Sequence, residues 1–260
     1  MKMIVSAQTH PGYVRTNNED AHLLLPGRDL LVVADGMAGH RFGELASALA
    51  VKTMKRFFLS DELENLLADQ LTRAKKAERE LPELTVPYYK LRRALEECNT
   101  AIFDTTRKNP RYETMGTTIV ATVLVGDNLY VGHVGDSRVY RVRDGELEQL
   151  TSDHSLLNEY LSKGFISQDE VETFPLKNVI VKALGLQEDL EVAVAERSAR
   201  PGDYLLLCTD GLTDLVQDAL IESAFLVAPS PAQAASELVR MALEAGGADN
   251  ITVVVALIEK

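Results

Sequence analysis

TTIVATVLVGDNLYVGHVGDSRVYRVRDGELEQL, residues 117–150, decides the fold class. Apolar and β-branched runs alternate in it with the turn pairs Gly126-Asp127 and Asp144-Gly145, which are strong local hairpin signals. The stretch reads as an antiparallel meander. Upstream, MIVSAQ, AHLLL and LLVVAD read as strands bounded by turns at Pro11-Gly12 and Pro26-Gly27, and a helical pattern runs from Phe42 to Leu59. Residues Ser60 to Lys108 are rich in Glu, Lys, Ala, Leu and Arg; Ser60 is the expected cap, with Pro82 and Pro87 dividing the stretch into two helices. Downstream, Ser155 to Leu184 turns polar, with short helical pieces expected at Leu156 to Ser162 and Ser167 to Glu172. LEVAVAE and DYLLLCTD return to strand, a weaker helical piece spans Leu215 to Val227, a clear one spans Pro231 to Ala245, and ITVVVALI closes the chain. Helices cluster between sets of strands instead of alternating with them, which favours a layered α+β arrangement over a doubly wound parallel sheet. One domain over 1–260 is expected, with 154–184 as a flap.

Composition narrows the function. In 260 residues, 27 Lys plus Arg stand against 39 Asp plus Glu, a formal charge of −12, so bulk attraction to nucleic acid or anionic lipid is disfavoured. No apolar run approaches the roughly 20 residues that cross a bilayer, and the start MKMIVSAQTHPGYVRTNNED has no signal-peptide pattern, so a cytoplasmic protein is expected. Cys98 and Cys208 lack metal-ligand spacing and read as buried thiols.

The excess of carboxylates has a pattern. Three Asp-Gly pairs occur, and Asp144-Gly145 reads as a plain turn. Asp35-Gly36 and Asp210-Gly211 instead end the apolar runs LLVVADG and LLLCTDG, which puts a carboxylate where a buried strand emerges. Asp249, ahead of ITVVVALI, and the pair Glu19-Asp20, ahead of AHLLL, are further acids at strand ends. Each alone is a cap or turn residue. Together, converging carboxylates would repel one another unless a hard divalent cation neutralised them, and the absence of a His and Cys set points to manganese or magnesium over zinc.

RTNNED, VADGMAGH, MGTT, HVGDSRVY, SDHSL, KALG, CTDGLTD and ADN occur in this order from Arg15 to Asn250. In order and approximate spacing they resemble the motifs of the metal-dependent protein phosphatase 2C family, in its compact bacterial form, across essentially the whole chain. The resemblance implies a four-layer α-β-β-α sandwich, two antiparallel sheets face to face with helices outside and metals at one end. It implies that Asp35 bridges two Mn2+ or Mg2+ ions, with Glu19 and the Gly36 carbonyl on one and Asp210 and Asp249 on the other. It implies a bridging water or hydroxide as nucleophile, Asp20 orienting metal-bound water, and Arg15 holding phosphate oxygens; the alternative for Arg15 is a surface ion pair. Asp136 would hold a third, weaker ion shared with Asp210.

Departures from the family pattern matter. Met37 stands where many eukaryotic relatives carry a His proposed as general acid, so metal-bound water or unassisted departure would serve the leaving group. Lys182 stands in KALG where relatives commonly have Arg. His40 and His154 read as packing or hydrogen-bonding residues near the site, and His10, His22 and His133 as structural. Thr117 and Thr118 read as β-formers at a close backbone approach. The flap, with Gly164, Phe165 and Gln168, is either a substrate selector or a passive loop; Leu63, Leu66, Leu67 and Leu71 either pack on the domain or bind a partner.

The expected function is a Ser/Thr phosphoprotein phosphatase that hydrolyses phosphate monoesters, acting on phosphorylated Ser/Thr proteins, a cognate bacterial kinase among them, as a monomer. The alternatives are a phosphatase for anti-sigma-antagonist phosphoproteins, a catalytically silent phosphoprotein-binding module and a two-metal nuclease. A haloacid-dehalogenase-type phosphatase is disfavoured, because Asp35 is followed by Gly36 and Met37 where a second Asp is needed two positions on.

Overall fold

The computed structural model describes residues 1–37, 42–60, 85–171, 174–176, 179–228 and 230–260. Among them, one sheet has the order β1-β11-β10-β7-β8, built from β1 (Lys2–His10), β7 (Arg138–Arg143), β8 (Glu146–Gln149), β10 (Tyr204–Cys208) and β11 (Ile251–Glu259). The other runs β2-β3-β5-β6-β9, from β2 (Asp20–Leu25), β3 (Leu30–Met37), β5 (Ile119–Val125), β6 (Asn128–Val134) and β9 (Ala193–Ser198), with short β4 (Gly116–Thr117) beside β3. All these pairings are antiparallel. The meander is as expected: β5–β6 turns at Gly126-Asp127, and β7–β8 at Asp144 (φ 54°) and Gly145 (φ 88°), the two positive φ values a tight hairpin turn requires.

The period of two along each strand sorts side chains into three cores. Leu31, Val33, Val120, Leu129 and Val131 of one sheet meet Val139, Leu205, Leu207, Val254 and Ala256 of the other. The alternate residues Leu30, Val32, Ala34 and Ala121 pack against α1 (Gly43–Leu59) and α2 (Val86–Lys108) through Ala46, Ala50, Met54, Leu91, Leu95 and Cys98. Leu206, Cys208, Val253 and Val255 pack against α5 (Asp218–Val227) and α6 (Pro231–Glu244) through Ile221, Ala224, Phe225, Leu238 and Ala242. The four layers follow. Both faces of the central strands are buried, which explains why LLVVA, LLLC and ITVVVALI are continuous apolar runs and not alternating ones.

Several boundaries differ from the sequence reading. Ser60 ends α1, extended at ψ 128°, with its amide on the Phe57 carbonyl, and the helix it is expected to cap lies outside the described residues. Pro87 agrees with its reading as a helix boundary, since it lies in the first turn of α2, where a missing N–H costs nothing. Pro82, Leu63, Leu66, Leu67 and Leu71 lie outside the described residues. The helical piece after Ser167 is only a 3-10 turn at Gln168–Glu170, while the piece Leu156–Ser162 forms as read and is α3, capped by the Ser155 hydroxyl. LEVAVAE enters the sheet late, at Ala193, although Leu190 and Val192 already pack on the same helix-side core as Val194 of β9. Leu215–Val227 is helical only from Asp218, after a separate turn of helix, α4 (Asp210–Thr213). No described helix is long and apolar enough to cross a membrane.

Candidate active site

At one end of the sandwich, β3 and β10 emerge with their Asp-Gly pairs. Arg15, Glu19, Asp35, Gly36, Asp210 and Asp249 line one open cavity of about 970 Å³, shared with Met37, Phe42, Ile180 and Leu186. Asp20 is in register with Asp35 across β2–β3, and its Oδ2 accepts from the Thr209 hydroxyl at 3.1 Å, directly beside Asp210. Asp136 does not face this cavity. It lines a smaller one of about 270 Å³ with Arg138, Asp153, Asn158 and Asp214, and Asp210 borders both.

Close backbone approach sets these positions. The Gly36 amide donates to the Glu19 carbonyl at 3.1 Å, the Ser47 hydroxyl reaches the same carbonyl at 2.5 Å, and any Cβ on Gly36 would run into the Gly43 carbonyl. The Asp35 carbonyl accepts from the Thr117 hydroxyl at 2.7 Å and the Thr118 amide at 2.9 Å, and the Thr118 and Ser137 hydroxyls share a bond of 2.7 Å. The two threonines therefore fix the strand that carries Asp35, beyond a β-former's role. Asn250 was quoted in sequence only as part of ADN; its side chain accepts from the Glu19 amide at 2.8 Å and donates to the carbonyls of Pro11 at 2.9 Å and Asn17 at 2.8 Å. Thr209 and Thr252 are likewise new to the site, and no local pattern in the sequence marks them.

The electrostatics are unusual for a folded interior. Buried Asp20 Oδ1, Asp136 Oδ1 and Asp210 Oδ1 have no hydrogen-bond partner among the described residues. Burial, then the charges of Asp210 and Asp20, hold the Asp35 carboxyl well above the usual carboxylate range. Burial also pushes Asp20 up to about 7 against the Thr252 and Thr209 hydroxyls, Asp136 up to about 7 with help from Asp210, and Asp210 up to about 6 against its bond with Asp35. Burial raises Glu19, with Arg15 opposing. Such a set lacks a positive charge. Among the described residues no three His, Cys, Asp or Glu side chains already close around one point. The acids border common cavities instead, as mutual repulsion requires, and orphaned oxygens with a hard oxygen donor set fit divalent cations of the magnesium or manganese kind.

Arg15 adopts the alternative weighed for it: Nη2 pairs with Asp249 Oδ2 at 2.7 Å, over half exposed at the cavity rim. His40 lies outside the described residues. His154 stacks on His133 at 4.6 Å between centroids and accepts from the Gly135 amide through Nδ1 at 3.2 Å, a packing role as read. Lys182 lines neither cavity and pairs with Glu191 at 3.2 Å. The flap supplies Ile180 to the cavity wall, with Ser155 and Ile180 bridged at its base, and Phe165 is exposed.

The sequence profile described as Protein phosphatase 2C matches residues 12–244. The serine/threonine protein phosphatase PstP of Mycobacterium tuberculosis is 38% identical over 251 residues, which is 96% of this chain but 44% of that protein, so the chain spans less than half of that relative's length. Protein phosphatase PhpP of Streptococcus pneumoniae is 34% identical over 254 residues, 96% of both chains. The crystal structure of the mycobacterial PstP superposes with a TM-score of 0.85 at 35% identity, covering 100% of each chain. That of the PstP catalytic domain in complex with two manganese ions gives 0.81 at 34% identity, covering 100% of this chain and 99% of that one. Matched over most of its length by the profile and over its whole length by these solved structures, the chain belongs to the protein phosphatase 2C family.

Proposed function

We propose that the chain is a metal-dependent serine/threonine phosphoprotein phosphatase that hydrolyses phosphate monoesters by direct attack of water, acting as one catalytic domain with 154–184 as its flap. The observation that carries this reading is the meeting of Arg15, Glu19, Asp35, Asp210 and Asp249 around one open cavity, with the buried Oδ1 atoms of Asp210 and of Asp20 and Asp136 behind it satisfied by no donor among the described residues. Glu19, Asp35 and the Gly36 carbonyl would hold one Mn2+ or Mg2+, and Asp35, Asp210 and Asp249 the other; a third would lie between Asp136 and Asp210 in the smaller cavity. Bound there, the ions would neutralise phosphoryl oxygens and lower the pKa of the attacking water.

The chain's own groups do the rest. Arg15 is exposed enough to swing its planar fork from Asp249 to two phosphate oxygens. Asp20, its Oδ2 held by Thr209, has a buried Oδ1 with no partner among the described residues, which would accept from and orient a water. Met37, which lines the cavity, has no proton to give, so the leaving alkoxide would be protonated by a water held at the site or depart with little assistance. The substrates are phosphorylated Ser/Thr proteins of the cytoplasm, including a cognate kinase, met by a monomer. PstP and PhpP, named as protein phosphatases, support the activity, and the manganese complex of PstP supports the ion.

The test is hydrolysis of a phosphothreonine peptide and a bis-aryl phosphodiester with manganese, magnesium or chelator, for the wild type and Asp210→Ala. Metal-dependent release from the peptide alone, lost in the variant, is expected. Metal binding without hydrolysis would favour a silent phosphoprotein-binding module, and diester cleavage a nuclease.

A further inference from the structure

Asn250 lies between Asp249 and β11, 5% exposed, with every polar group of its side chain in use. Its Oδ1 takes the Glu19 amide, its Nδ2 gives one hydrogen to Pro11 and the other to Asn17, and its own amide donates to Asp249 Oδ1 at 2.8 Å. The amide's orientation is fixed by these partners. Flipped, it would set donor against donor at Glu19 and oxygen against oxygen at Pro11 and Asn17. The Glu19 residue so held passes its carbonyl to Gly36 and Ser47, and on the other side the Asn250 carbonyl packs so tightly on Gly211 that a Cβ there would collide. Asn250 thus touches the turn that carries Arg15 and Glu19 through its side chain, and Asp249 and the segment that carries Asp210 through its backbone.

We propose that Asn250 is the positioning residue that sets the spacing between the Arg15–Glu19 turn and Asp249 across the cavity. It reaches no substrate; it acts through the ligands. The turn from Pro11 to Glu19 forms no strand or helix, so its own backbone bonds do not fix it. Among the described residues, its hydrogen bonds to the segment that precedes β11 are Tyr13 N–H on the Gly247 carbonyl at 2.7 Å, the Arg15–Asp249 pair and those of the Asn250 side-chain amide. The inference rests on the phosphatase reading for its consequence but not for its geometry.

Two measurements test it. Hydrogen exchange on the metal-free chain should show faster exchange confined to residues 12–19 in Asn250→Ala, with β3 and β5 as protected as in the wild type. Asn250→Asp, which keeps the acceptor but loses both donors, should leave the Glu19 amide protected while the turn before it loosens. Calorimetric titration with Mn2+ should give affinity about 10–100-fold weaker in Asn250→Ala, the usual cost of losing an outer partner of a ligand. Protection and affinity equal to the wild type, or protection lost evenly through the core strands, would overturn the proposal; the even loss would mark a merely structural residue. If Asn250→Ala does not fold, the Asn250→Asp exchange pattern decides. A wild type that binds manganese yet leaves phosphopeptides untouched sinks the phosphatase reading and leaves the exchange result to judge Asn250.

Discussion

The two ends of β10 handle a buried carboxylate in opposite ways. At its start Asp203, 2% exposed, accepts from Arg143 Nε and Nη2 at 2.7 Å each and from the Arg200 amide at 2.8 Å. Beyond its other end Asp210 is buried with an Oδ1 that no described donor reaches, beside Asp35 and Asp136, which burial and one another's charge drive the same way. The chain can supply an arginine fork where an acid serves the fold, as Arg138 does again for Asp153 with bonds of 2.7 to 3.1 Å. Where it withholds the cation, an outside charge has to complete the set. Asp249 is intermediate: Arg15 covers it, but from an exposed rim where the pair is weak and easily exchanged.

Substitutions at the two ends should separate activity from stability. On the proposed ligand set, Asp210→Asn is expected to lower phosphopeptide turnover in manganese by more than the roughly 100-fold that an outer partner costs, because it would remove a direct ligand. Its urea midpoint without metal should equal or exceed the wild type's, since one of the crowded charges is gone; a clear drop would mean that Asp210 serves the fold as Asp203 does. Arg143→Met is expected to act the other way, costing about 3–5 kcal/mol in urea unfolding by stranding Asp203, while turnover per folded molecule is unchanged. Lost turnover in the folded variant would break the contrast.

The smallest effect concerns the stacked histidines. Burial, with each other's charge and Lys182 behind it, lowers the His154 imidazole to about 4, and burial lowers His133. The unfolded chain then binds more protons from about 6.5 down to about 4, so this contribution is full above pH 6.5 and is lost as pH falls toward 4. The urea-midpoint gap between the wild type and His154→Asn, whose amide oxygen can take the Gly135 N–H, should narrow from pH 7 to pH 4. A gap independent of pH would show that packing alone matters at this pair.

Much of the fold was legible because its signals are local. Gly126-Asp127 and Asp144-Gly145 announce their hairpins through backbone φ, and α1, α3 and α6 fall within a residue of their expected spans. The weak places were those where local signals conflict with packing. The piece read as helical after Ser167 is a 3-10 turn only, and Leu190 and Val192 have strand propensity and pack on the helix-side core, yet pairing begins only at Ala193. The acids were legible as a class because an Asp-Gly at the end of an apolar run is rare enough to count when doubled.

The sequence by itself therefore determined the strands, most helices, the family motifs and the acids that cap the strand ends, since these depend on periodicity, turn chemistry and residue type over a few positions. Only the tertiary structure decided which acid is paired and which is bare. Register across β1, β11 and β10 brings Thr9, Thr252 and Thr209 together and sets Asn250 against Glu19, partners 231 residues apart. Whether a buried carboxylate meets an arginine, a hydroxyl or nothing is a matter of which distant side chains the sheets carry to its oxygens, and no local pattern encodes that.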